Sequence, residues 1–121
     1  MTTEAFNGLT LFFVDEEGPA LASEQDALDL LGLTYGTDAD VIVVPVRRLA
    51  PEFFDLGTRL AGGFFQKLQN YRARLVVLGD ISGHVARSKA LHDFVGETNR
   101  IGHHLFAADR AALEAGLGRE R

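Results

Sequence analysis

The chain has 121 residues, 12 basic against 17 acidic for a net charge of −5, with 46% hydrophobic residues and no cysteine. A chain of this length buries roughly two-thirds of its unfolded surface and supports one core, which excludes separate cofactor and substrate domains. The acidic balance argues against nucleic acid as a partner, and the lack of cysteine removes disulfide scaffolds, thiol catalysis and thiolate metal sites.

Taken in chain order, the first apolar run, residues 9–14, lies between Asn7-Gly8 and Glu16-Glu17-Gly18-Pro19 and reads as a strand. Asn7-Gly8 suits a tight hairpin with a short strand over 2–6. Ser23 caps a helix with Asp26 three residues on, an incomplete capping box; Ala27, Leu28, Leu30 and Leu31 form its apolar face, and Gly32 or Gly36 ends it. Residues 41–46 are β-branched without polar alternation, the pattern of a strand covered on both faces at the centre of a sheet. After Pro51 and Asp55, the residues Leu56, Leu60, Ala61, Phe64, Phe65 and Leu68 recur at helical spacing, with Arg59, Gln66, Lys67 and Asn70 on the other face. A second buried strand, 75–78, runs into the turn cluster 79–83. A third helix is predicted over 86–100 with Gly102 as its stop, then a weak strand over 105–108 and a final helix capped by Asp109 and carrying Leu113 and Leu117.

The order β(β)αβαβαβα predicts an α/β fold: one domain over 1–118 with a mostly parallel central sheet of four to five strands and about four helices, and a frayed 119–121. No stretch approaches the 18 apolar residues of a membrane span, and residues 1–6 lack the basic, apolar character of a leader, so no membrane partner and a cytoplasmic location are expected.

The chemistry such a fold can host is restricted by what is missing. Neither Gly-x-Gly-x-x-Gly nor a glycine loop ending in Lys-Ser/Thr is present, so no cofactor is assigned. The loop 79–83 offers backbone amides to an anion, but Asp80 would repel one. His103 and His104, on a strand, would point to opposite faces and could not share a metal ion, and His84 and His92 stand apart from them. Ser82, His84 and Asp80 have the residue types of a triad, yet neighbours on one turn seldom reach its geometry, and no Gly-x-Ser-x-Gly elbow occurs. No catalytic residue and no metal ligand is therefore assigned. The stretch 51–63 is the part that patterning leaves unexplained: Phe53 and Phe54 precede a helix start, Gly57 and Thr58 follow Asp55, and Gly62 and Gly63 sit in the early turns, where each glycine costs about 1 kcal/mol relative to alanine.

A strand leading through a short connection with Asp55 into small residues and Thr58 at the head of an amphipathic helix, then a second buried strand ending at Gly79, resembles the STAS domain of anti-sigma factor antagonists. In that family a serine at the helix start is phosphorylated by a partner kinase that is also the anti-sigma factor. Asp55 matches the acidic position, Leu56 and Gly57 stand where the serines would be, and Thr58 is the one hydroxyl able to substitute. The run Phe53-Phe54-Asp55-Leu56, Thr58, Leu60-Ala61-Gly62, Gln66-Lys67, Asn70-Tyr71, Leu75, Gly79-Asp80 and Glu97-Thr98-Asn99-Arg100 is also similar, over nearly the whole chain, to a bacterial family of small single-domain proteins of unknown function.

The STAS resemblance implies a non-enzymatic, regulatory protein-binding module whose partner is a kinase-type anti-sigma factor and whose switch is phosphorylation of Thr58, whereas the family of unknown function implies no activity. The expected partner surface is Phe53, Asp55, Gly57, Thr58, Arg59, Gly62, Asp80, Ser82 and Asn99. The competing expectation is a small-ligand or enzyme site in the crevice at the C-terminal ends of the parallel strands, where Asp55, Thr58, Arg59, Asp80, Ser82 and Asn99 would converge. A third is a homodimer, its interface covered by some of the nine phenylalanines.

Overall fold

The structure, a computed structural model, describes residues 2–118; the expected fraying at 119–121 falls outside them. Strands β1 (Thr2–Phe6), β2 (Leu9–Phe13), β3 (Val41–Pro45), β4 (Arg74–Leu78) and β5 (Leu105–Ala107) form one sheet in that same order. β1 and β2 are antiparallel, with Thr2 opposite Phe13 and Phe6 opposite Leu9. Asn7 and Gly8 join them at φ 53° and 80°, the two left-handed positions a type I′ hairpin requires. From β2 onward every pairing is parallel, so the chain forms the α/β fold with a mostly parallel sheet that its patterning implies.

Each strand is added on the same side of the one before it. With right-handed crossovers this winding places all connecting helices on one face. They are α1 (Glu24–Leu33), α2 (Leu60–Asn70), α3 (Ser82–Arg87) and α4 (Lys89–Ile101); α5 (Arg110–Leu117) follows the last strand. The larger core joins Phe12, Ile42, Val44, Leu75, Val77 and Phe106 of the sheet to Ala27 and Leu30 of α1, Phe64, Phe65 and Leu68 of α2 and Leu91 of α4. A smaller core on the opposite face sets Leu11, Val41, Val43, Val76 and Leu105 against Leu113 and Leu117 of α5. β3 is covered on both faces, which is why 41–44 carries no polar residue. None of the phenylalanines is among the large hydrophobic residues left exposed.

The helix ends follow local chemistry. At α1 the capping box is complete: the Asp26 N–H donates to Ser23 Oγ at 3.2 Å, and the Ser23 N–H donates to Asp26 Oδ2 at 3.1 Å. The same helix stops at Leu33 rather than at a glycine, because Thr34 closes it with a hydroxyl bond to the Leu31 carbonyl at 2.7 Å. Gly102 ends α4 in the left-handed conformation, φ 85°, and Asp109 caps α5 through the Ala112 N–H at 2.9 Å.

Two further helices differ from their expected bounds. α2 begins at Leu60, and the chain before it makes three short 3-10 turns, Val46–Arg48, Pro51–Phe54 and Leu56–Thr58. Side chains in this segment bond to nearby backbone in place of an α-helical ladder, and Arg59, at φ 63°, interrupts any helical continuation. The expected third helix is two, α3 and α4, divided at Ser88, whose Oγ accepts the Leu91 N–H at 3.1 Å and starts α4 afresh.

Candidate functional site

Three concavities bear on function. The first is the crevice of about 640 Å³ at the C-terminal ends of β2, β3 and β4, where Asp15, Glu16, Arg47 and Asp80 meet Phe13 and Pro45. Of the six residues expected to converge there, only Asp80 lines it. Arg47 is taken up by Glu17 at 2.9 Å and Glu16 at 3.5 Å. Asp80 turns back on its own loop: the Ser82 N–H reaches it at 2.9 Å, and this bond together with the Ser82 hydroxyl holds its carboxyl below the usual range. The Ser82 hydroxyl thus faces an acid, while His84 lies flat on the Phe54 ring, centroids 4.2 Å apart. No serine–histidine couple forms there.

The second is the 3-10 segment. Phe53 is 1% exposed and meets Phe54, Phe64 and Phe65 edge-on at 5.3, 5.7 and 5.9 Å, so it is the root of the segment and not part of its surface. Asp55, Gly57, Thr58 and Arg59 are exposed. The Gly57 N–H donates to Asp55 Oδ1 at 3.0 Å. Thr58 Oγ1 lies 2.8 Å from the carbonyl oxygens of both Glu52 and Asp55, to which it donates, and accepts the Leu60 N–H at 3.2 Å. The expected place of Thr58 at the head of an α-helix is corrected accordingly: it sits inside a 3-10 turn as the clasp of that turn. Across a cleft of about 330 Å³, Asp55 and Leu56 face His84 and Arg87.

The third concavity was not foreseen. α2 lies alongside α1, where a Cβ on Gly63 would run into the Glu24 carboxylate, and meets α4 through Phe65 and Phe94, centroids 5.8 Å apart, leaving a gap between the two helices beside that contact. The gap is a groove of about 280 Å³ lined by Phe65, Gln66, Gln69, Phe94, Thr98 and Ile101, with Gly62 at one end and His103 and His104 at the other. The histidines are not on β5 but on the bend before it, because the Arg74 guanidinium fixes the carbonyls of Gly102 and His103 at 2.9 and 2.8 Å. Their rings therefore do not take opposite faces as strand neighbours would; they touch edge to face, centroids 4.5 Å apart.

His104 is 7% exposed, lies against Phe65 at 4.9 Å, and accepts the Leu75 N–H on Nδ1 at 3.0 Å. Burial first, then His103 and Arg74, push its pKa down to about 4, and His103 is lowered by burial and Arg74 as well. The neutral His104 ring carries its proton on Nε2, since Nδ1 is occupied, and a protonated nitrogen cannot ligate a metal. Among the described residues no group of three or more His, Asp or Glu side chains is placed to hold a metal ion. The sequence signal for this pair was slight: two histidines directly before an apolar strand.

Asn99, expected at the binding surface, braces the sheet. It donates to the Phe106 carbonyl at 3.1 Å and accepts the Phe106 N–H at 2.7 Å. Gly62 opens the groove, Asp80 borders the first crevice, and Asp55 to Arg59 form the exposed turn, so the expected residues fall into separate places.

Fold and concavities together define a small one-sheet α/β domain with preformed surface clefts, and none of its described helices is long and apolar enough to cross a membrane. The chain belongs to the family described as Domain of unknown function (DUF4180), whose family model matches residues 6–117. No curated protein and no solved structure matches it.

Proposed function

We propose that the domain is a regulatory module that binds a protein partner through the exposed turns at 51–59 and is switched at Thr58, in the manner of the anti-sigma factor antagonists that its element order resembles. The observation that carries this reading is the left-handed Arg59. A non-glycine residue there costs roughly 1–2 kcal/mol, and this one is exposed, so no core contact of its side chain offsets the cost. Arg72 and Asp38 share this conformation and exposure at plain turns; what sets Arg59 apart is the turn before it, locked by the Asp55 and Thr58 side chains, which supports reading it as a presented shape. A partner meeting this turn finds it ordered beforehand, which spares the ordering cost of binding.

Thr58 supplies the switch because its hydroxyl is the clasp. A phosphate on Oγ1 removes the proton donated to the Glu52 and Asp55 carbonyls and brings about −1.5 to −2 charge against those two oxygens. The turn opens, and the surface that the partner reads is lost. A kinase-type anti-sigma factor is the partner the resemblance implies. The test is retention of proteins from a cell extract on immobilised wild-type chain, Thr58→Glu and Arg59→Glu, with mass spectrometry of Thr58 after incubation with ATP. A retained protein that both variants lose supports the reading. An unchanged retained set, with Thr58 unmodified, defeats it.

A further inference from the structure

We propose that the crevice at the C-terminal ends of β2, β3 and β4 binds a small organic cation, an ammonium group carried on a compact apolar body. The inference does not depend on the partner surface at 51–59, none of whose residues lines this crevice.

The crevice exists because α5 is short. At eight residues it spans about 12 Å, and its Leu113 and Leu117 share a core with Leu11, Val41, Val76 and Leu105. The last residues of the strands, Phe13, Pro45 and Leu78, are left half-buried around Val43 as an apolar floor. The volume of about 640 Å³ falls inside the range of small-molecule clefts, about 300–1,000 Å³. Both walls are fixed before any ligand arrives. On one side the Arg48 guanidinium donates to the backbone carbonyls of Asp15, Glu17 and Pro19 at 2.8, 3.4 and 3.0 Å, latching the loop after β2. Gly18, at φ 148°, leaves room for it: a Cβ there would stand 2.7 Å from the guanidinium carbon. On the other side Gly79, at φ 141°, brings the loop after β4 against Val46, whose Cγ2 would lie 2.9 Å from a Cβ at that position. A preformed cleft spares a ligand the cost of ordering its walls.

The floor holds the body of the occupant and the rim sets its charge. Arg47, which lines the crevice, is held by Glu16 and Glu17. Arg110, whose guanidinium lies 5.5 Å from the centroid of the Phe13 ring, is held by Glu4 and Glu114, each at 2.8 Å. Each of these arginines is thus outnumbered two to one by carboxylates, and Asp15 and Asp80 add to the excess from two separate walls. Asp80 stays ionised, because the bond from the Ser82 N–H holds its carboxyl below the usual range. An acidic rim over an apolar floor complements an amphipathic cation. It attracts the ammonium group, leaves the apolar body on Pro45 and Leu78, and repels phosphates and carboxylates.

The test follows the backbone amides of Phe13, Glu16 and Gly79 by NMR of the full isotope-labelled chain, with phenethylamine as probe. Three counterparts separate its parts: hydrocinnamate reverses the charge, phenethyl alcohol removes it, and methylamine keeps the charge without the body. Phenethylamine is expected to shift the amides saturably, with each counterpart at least about fivefold weaker. Thr2→Trp fills the crevice from β1 without replacing a carboxylate, and Asp80→Asn keeps an acceptor for the Ser82 N–H; each should weaken phenethylamine about threefold or more. Arg48→Gln separates a built site from a patch of charge. It removes a positive charge, so attraction by the rim alone would tighten phenethylamine, whereas an unlatched loop weakens it about threefold or more. Gly18→Ala displaces the same latch with no change of charge and serves if Arg48→Gln does not fold. Absence of a saturable shift up to about 10 mM phenethylamine overturns the assignment. So does binding of methylamine or hydrocinnamate as strong as that of phenethylamine, unchanged binding in Thr2→Trp or Asp80→Asn, or tighter binding in Arg48→Gln.

Discussion

Lowering the pH from about 7.5 to about 4.5 should cost the fold about 2.5 kcal/mol through His104. Its folded pKa is pushed from the ordinary 6.5 down to about 4, so as the pH falls the unfolded chain takes up the proton first. The contribution of the neutral ring is whole above pH 6.5 and drains away between 6.5 and 4. Linkage between those two values gives a loss of about 1.4 kcal/mol at pH 5.5 and about 2.5 kcal/mol at pH 4.5. His104 is 7% exposed, so solvent does little to screen the effect. His103 is shifted the same way and adds to the slope. The exposed carboxyls of Glu4, Asp80, Asp93 and Glu97, held below their ordinary 4.5 or 3.8 by hydrogen bonds, act mainly beneath this window. Urea unfolding at pH steps, alongside NMR titration of the His104 ring, measures both sides of the linkage. A ring that titrates near 6.5, or a stability change under about 0.5 kcal/mol across the window, would refute the reasoning.

Asn99→Ala removes both bonds to the Phe106 backbone and should cost about 1.5–3 kcal/mol in chemical denaturation; a cost below about 0.5 kcal/mol would show that the brace contributes nothing. Gly62→Ala, in open space within α2, should stabilise by up to about 1 kcal/mol, whereas Gly63→Ala drives a methyl into the Glu24 carboxylate and should gain less or lose; equal melting temperatures for the pair would contradict the packing described. Thr58→Val keeps the shape and loses the hydroxyl, so it should cost about 0.5–1.5 kcal/mol, with Thr58→Ser near wild type. Hydrogen exchange at Leu60, whose N–H the hydroxyl accepts, should rise in the valine variant and not in the serine one.

The readable parts of this fold are those where one interaction settles the local outcome. Asn7-Gly8 can satisfy two successive left-handed positions, and few other dipeptides can. Ser23, Gly102 and Asp109 mark helix ends because each satisfies a backbone group that the helix leaves open. The apolar spacing from Leu60 to Leu68 placed α2, but the same spacing extended back to Leu56 through residues that fold otherwise. There Asp55 and Thr58 bond the backbone in competition with a helix, and sequence spacing carries no record of that contest. Ser88 divides α3 from α4 for a similar reason, with a cap inside a stretch that reads as continuous. The groove escaped notice because it depends on the spacing of α2 and α4 and on Arg74 bending the chain at His103, neither of which is a local property.

The Asn99 brace also gives the sheet a direction of growth. In β5 the Ala107 carbonyl accepts the Gly79 N–H on the side facing β4, while both peptide groups of Phe106, the rung turned to the open border, are taken by the Asn99 carboxamide, so that outward rung is closed. β1, at the far border, carries no comparable clamp among the described residues. Strand addition to this sheet therefore has one permitted side. Two copies joined β1 to β1 would each turn a sealed border outward, and the ladder would terminate at two chains instead of running on into a fibre.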